Sequence, residues 1–267
     1  MKIPSRLMIL LLIVLSFNSC NSRKNKLSKT WFYITGYTAS GKPIKISAKD
    51  SLLNNFLTPA CFINLQPDGK YTSFLYTFDY GNWQLENNEI ILLSEKNVRQ
   101  KLPLQVLDSK VMMVTVTDLN GNVFNCDFES ASGSFKTEDE NPFSKPNNLW
   151  RIPALHKETN DEITARLMNH FQFWEKYFDW GIRTEQSTLD VRSTASPLKI
   201  YGNGFALKPY EYLPVAWKQS FYDVEDCQKA NDKLSAFIKS GEIAWPHTDH
   251  KYKMFLSAFQ QMQQKMR

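Results

Sequence analysis

Beyond its first fifteen residues the chain has no hydrophobic run approaching the roughly 20 apolar residues of a membrane-spanning helix. No later segment is therefore expected to cross a bilayer. Two familiar catalytic signatures are missing too, for there is no G-x-S-x-G elbow and no H-E-x-x-H. Each of those spacings sets a nucleophile or a metal beside its activating base, so an enzyme of this sequence has to assemble its site from distant residues. No G-x-x-x-x-G-K-[ST] is present, which leaves Gly202 and Gly204 as a turn rather than a phosphate loop. A repeat of fixed period is lacking. So is an excess of one charge: 32 Lys and Arg face 27 Asp and Glu, and losing Lys2 and Arg6 with a leader leaves 30 − 27 = +3. That balance gives no nucleic-acid footprint, and no cofactor is expected.

What the chain does have is aromatic side chains, with 7 Trp, 11 Tyr and 18 Phe, enough to build a sizeable core. Its N-terminus has the order of a secretory leader: Lys2 and Arg6, then the apolar run Leu7 to Leu15, then small and polar residues. Cys20 directly follows Ser19 in "SFNSCNS". This stretch resembles the lipobox of bacterial lipoproteins, with Phe17 and Asn18 where that family usually has Leu and Ser or Ala. The resemblance implies a signal peptide over 1–19, lipidation (palmitate among the acyl chains) at Cys20, and a membrane as partner through that cysteine. The polar, basic 20–29 reads as a tether. Position 21 is Asn, and no acidic run follows the cysteine. By analogy with other lipoproteins, that implies an outer-membrane location, periplasmic face.

Export permits disulfides. Besides Cys20 there are Cys61, Cys126 and Cys227, an odd number. Cys61 and Cys126 alternate with apolar neighbours and should point inward, as a bridge or as two buried thiols. Cys227 falls on an apolar helix face.

Residues 30–129 are patterned as about eight short strands. Asp68-Gly69, Asn87-Asn88 and Asn120-Gly121 supply turns, and Gly81 is expected to break a strand that runs to Asp79. Short spacings favour an antiparallel meander that closes into a barrel. Trp31, the stretch Phe62 to Leu65, Asp68-Gly69, Tyr71 and Gly81-Asn82-Trp83 resemble the lipocalin-like domains of bacterial lipoproteins. The implied fold is an eight-stranded lipocalin-like β-barrel. Residues 130–148, rich in Ser, Asn, Pro and charge, read as a linker. Residues 149–267 read as a mainly helical domain, so the fold class is α+β. Thr159 and Glu162 form a capping box ahead of a helix, with Gly181 as its stop. A second helix is expected from Val224 to Lys239 and a third from near Thr248. "LKIYGNGFAL" suits a hairpin, and a short helix can start at Pro214.

Four groups of residues are candidate sites. Phe74, Tyr76 and Phe78 share a strand face which, pointed inward with Trp83, either fills the barrel or lines a ligand cavity. Phe173, Tyr177 and Trp180 lie partly off the helix stripe, and either pack on the barrel or mark a partner surface. His247, Asp249 and His250 can hold a metal, or simply start a helix. His170 lies on the apolar stripe, either as a core residue or as a perturbed imidazole. The expected role is a membrane-anchored envelope lipoprotein acting as a non-catalytic scaffold for an envelope protein partner. A carrier of an apolar small molecule in the barrel is the alternative, and an enzyme of unrecognised type comes third.

Overall fold

The computed structural model describes residues 22–44, 61–118, 121–131, 135–185, 196–201, 204–241, 243–244 and 251–266. Eight antiparallel strands form its first half: β1 (Thr30–Thr38), β2 (Phe62–Leu65), β3 (Lys70–Phe74), β4 (Phe78–Glu86), β5 (Glu89–Ser94), β6 (Arg99–Leu107), β7 (Val111–Thr117) and β8 (Val123–Ser130). Each strand pairs with the next, and β8 returns to β1, which closes the barrel and leaves no unpaired edge. The turns follow from their residues. Asn87 and Asn88 both take positive φ, as a two-residue hairpin requires, and Gly69 does so between β2 and β3.

One expected break is displaced. Gly81 does not end a strand but lies inside β4, and the chain bends at 75–77 instead. A Cβ on Gly81 would lie 2.1 Å from the carbonyl oxygen of Leu93, so glycine permits the close approach of β5.

The barrel is filled by its own side chains. Trp31, Ile63, Tyr71, Leu92, Met112 and Phe128 are all at most 2% exposed. A short helix, α1 (22–27), covers one end. Leu27 is buried there and its carbonyl accepts the Trp31 indole N–H, while Arg23 reaches Asn88 and the Lys24 ammonium lies over the Trp83 ring. The expected tether is thus in large part folded against the barrel.

Residues 135–148 are no spacer either. Phe143 is 1% exposed, and its ring meets Phe32 and Phe62 of the barrel and Trp180 of the helical half. The asparagines that suggested a linker serve the buried loop. The Asn147 amide donates to the Asp139 and Asn141 carbonyls, and the Asn148 amide to those of Pro142 and Ser144. Buried backbone carbonyls need such partners. A 3-10 turn (Pro146–Arg151) follows.

The helical half contains α2 (Asn160–Arg183), a hairpin of β9 (Leu198–Tyr201) and β10 (Gly204–Leu207), α3 (Val215–Lys218), α4 (Val224–Lys239) and α5 (Lys251–Met266). Thr159 and Glu162 form the capping box that starts α2, and the Asp223 carboxylate caps α4. The helix passes through Gly181 to Arg183, because Gly181 sits on its buried side. Trp174 and Phe178 of α2 pack on Phe255 and Phe259 of α5, and one apolar cluster runs from the barrel through to these helices. No helix among the described residues is long and apolar enough to cross a membrane.

Candidate functional site

Cross-strand partners point to the same side of a sheet, which fixes where the aromatic face of β3 and β4 looks. Phe62 pairs with Phe74, and Phe74 with Phe78. Phe62 meets Phe143, outside the barrel, so this whole face looks outward. The expected inward orientation is therefore reversed for Phe74 and Phe78: Tyr71 and Ser73, the alternate residues, look in, while Tyr76 lies in the 75–77 bend outside both strands. Trp83 does face the interior, but near the end covered by α1, where its indole donates to the Gln66 carbonyl at 2.8 Å.

At the other end, beside the 75–77 bend, lies a cavity of about 470 Å³. Such a volume lies within the range of about 300–1,000 Å³ typical of small-molecule sites. Phe74, Leu75, Tyr76 and Phe78 line its barrel side, and Arg151, Pro153, Ala216 and Gln219 its helical side. Three of the four residues expected to bind a ligand thus share one cavity, which spans the barrel mouth and its outer wall, since the inward-looking Ser73 and Asp79 line it too. Trp83 is not among them.

Arg151 is the unusual member. It ends the 3-10 turn and is 5% exposed, with its guanidinium carbon 4.1 Å from the Phe74 ring centre, 4.2 Å from Trp150 and 4.9 Å from Phe173. Its Nε and Nη1 have no hydrogen-bond partner among the described residues. Burial lowers its pKa to about 9, so it stays charged at neutral pH. Arg166 shows the ordinary solution to the same problem. It pairs with Glu158 and donates to the carbonyls of Trp150 and Ile152, pinning the turn on either side of Arg151.

His170 adjoins this cluster, its ring 4.7 Å from that of Trp150. The Trp174 indole can only donate, and it donates to His170 Nε2 at 3.0 Å. The neutral imidazole therefore carries its proton on Nδ1, which has no partner among the described residues. Burial, reinforced by the positive charge of Arg151, holds the pKa of His170 well below the ordinary histidine value. Nearer the rim, burial raises the Tyr76 hydroxyl and pushes Cys126 up to about 12, so both are neutral.

Phe173, Tyr177 and Trp180 present no partner surface, being 3%, 6% and 2% exposed. Trp180 stacks on Phe32 of the barrel and Phe173 lies under Arg151, so these rings pack within the chain. Cys61, Cys126 and Cys227 are buried thiols. Cys20, His247, Asp249 and His250 lie outside the described residues. Among the described residues no group of three or more His, Cys, Asp or Glu could hold a metal. Sequence reasoning missed Arg151, because nothing in "NNLWRIP" marks an arginine that folding will bury.

No protein family matches the chain, and no curated protein matches it. Among solved structures the chain is similar to a de novo designed fluorescence-activating β-barrel, 13% identical, over 38% of this chain and 91% of the designed one, with a TM-score of 0.24.

Proposed function

We propose that the protein is a lipid-anchored lipoprotein of the cell envelope, held at the outer membrane through Cys20, whose lipocalin-like barrel and helical half together bind an apolar small molecule without catalysis. The observation that carries the binding role is the cavity of about 470 Å³ walled by Phe74, Leu75, Tyr76 and Phe78. A protein scaffold was the first expectation from sequence, supported there by the tether and by the aromatic helix that is α2. With those rings buried, the small-molecule reading is the one with a site to point to. The leader and the lipobox resemblance at Cys20 support the anchor.

Native mass spectrometry of protein extracted from its own membranes tests the binding role. A stoichiometric non-covalent adduct is expected, lost in Ala216→Trp, which fills the cavity. Protein that carries no adduct and takes up no apolar probe after delipidation sinks this reading. For the anchor, Cys20→Ala should move the protein out of the membrane fraction; an unchanged distribution and mobility rules out lipidation.

A further inference from the structure

Resting on that reading, we infer that the ligand is an amphipathic monoanion, a carboxylate with an apolar body, whose head group is received by Arg151 at the junction of the barrel rim and the helical half. A guanidinium taken out of water normally has its donors matched by carboxylate or carbonyl oxygens. Arg166, 15 positions further on (166 − 151) and in the same core, has both kinds of partner. Arg151 has neither at Nε and Nη1, and rests instead on three aromatic faces. Ring faces stabilise a cation without using its in-plane N–H groups, so the donors remain available.

The surroundings settle the sign and the size of the head group. The titratable side chains that interact electrostatically with the guanidinium are Cys61, Tyr177 and His170, none of them a carboxylate. Lys96 and Arg99 add positive charge to the wall, Arg99 already being engaged by Glu86. Asp79 is the acid on the wall, and it accepts the Tyr71 hydroxyl at 2.5 Å. One buried cation matches one negative charge, which favours a carboxylate over a doubly charged phosphate. Phe74, Leu75 and Phe78 then supply apolar wall for the body of the molecule.

A matched set of twelve-carbon probes separates this inference from the reading beneath it. Dodecanoate, dodecanol and dodecylamine would be titrated calorimetrically into delipidated full-length protein below their micelle concentrations. Dodecanoate is expected to bind on the order of tenfold or more tighter than the alcohol, as a charge-assisted hydrogen bond gives. The amine should bind weakest. Arg151→Gln should abolish the preference while alcohol binding persists, and Arg151→Lys should restore part of it. Equal binding of acid and alcohol overturns the inference but leaves a binding cavity. So does a preference that survives in a folded Arg151→Gln protein, because the anion is then received elsewhere. Failure of all three probes to bind sinks the carrier reading as well. The wild-type acid-to-alcohol ratio needs no variant, so the test stands even where Arg151→Gln does not fold.

Discussion

The guanidinium carbon of Arg151 lies 4.1 Å from the centre of the Phe74 ring, which places a residue beyond the barrel against the outer surface of its third strand. The two halves are therefore continuous where they meet, and a perturbation on one side should be felt on the other.

Phe143 offers the simplest check. Its ring touches Phe32 and Phe62 on the barrel and Tyr177 and Trp180 on α2. Phe143→Ala is expected to cost about 3–5 kcal/mol, as large aromatic deletions from cores do. Urea unfolding followed by far-ultraviolet and near-ultraviolet circular dichroism should give coincident curves for wild type and variant alike. Separate transitions, with only one moved by the substitution, would show that the halves fold independently.

Gly81 and Gly41 give a matched pair. A Cβ on Gly81 meets the Leu93 carbonyl oxygen at 2.1 Å, whereas a Cβ on Gly41 meets nothing within 4 Å. Gly41→Ala carries only the cost of a left-handed backbone, about 1–2 kcal/mol. Gly81→Ala must push β5 away and should be clearly worse, by thermal unfolding. Equal losses would mean that β4 and β5 separate easily.

His170 sets a pH dependence. Its folded pKa is depressed, so between that value and the unfolded value near 6.5 the unfolded chain binds the extra proton. Stability then rises with pH in this window, and falls as the solution is acidified below about 6.5. The contribution is about 1.4 kcal/mol per pH unit. His170→Gln should show a correspondingly shallower decline between pH 6.5 and 5, measured by urea midpoints. Parallel slopes for the two proteins would remove His170 as the cause.

Arg166 links stability to the cavity. It spans Glu158 and the carbonyls of Trp150 and Ile152, with side-chain exposures of 10% for Arg166 and 6% for Glu158. Arg166→Met strands a buried carboxylate and should cost about 3–5 kcal/mol. Arg166→Met together with Glu158→Leu should recover most of that loss. If the double variant is no better than the single, the carbonyl contacts dominate rather than the ion pair.

The barrel was legible because period-two patterning and the Asp68-Gly69 and Asn87-Asn88 turns are local signals. The Val224–Lys239 helix was readable for the same reason: its cap and its apolar stripe lie within one segment. Three features decided by packing were not legible. Whether Phe74 looks in or out depends on register with Phe62 and on what covers it, and alternation alone cannot choose a face. Gly81 reads as a break and acts as a clearance, since the atom it avoids belongs to another strand. Residues 135–148 look like a spacer by composition, yet their Asn amides are polar because the loop they support is buried. Of the candidate site, Phe74, Tyr76 and Phe78 were found through aromatic density. Arg151 was not, because burial of a lone arginine leaves no trace in its sequence neighbours.

The helix over 22–27 constrains how the molecule stands. It lies against the barrel end marked by Trp83 and Asn88, while the cavity opens at the other end, beside 75–77. Cys20 precedes this helix by two residues, a reach of roughly 7 Å. With lipid on Cys20, the covered end would rest close to the bilayer and the cavity would face away from it, at about the length of a nine-residue tilted strand, roughly 20–25 Å. A molecule leaving the membrane would then have to cross water to enter. Under the proposed anchor and binding role, that geometry would suit a receiver of cargo handed over by a soluble or opposing component better than an extractor that draws lipid directly from the leaflet beneath it.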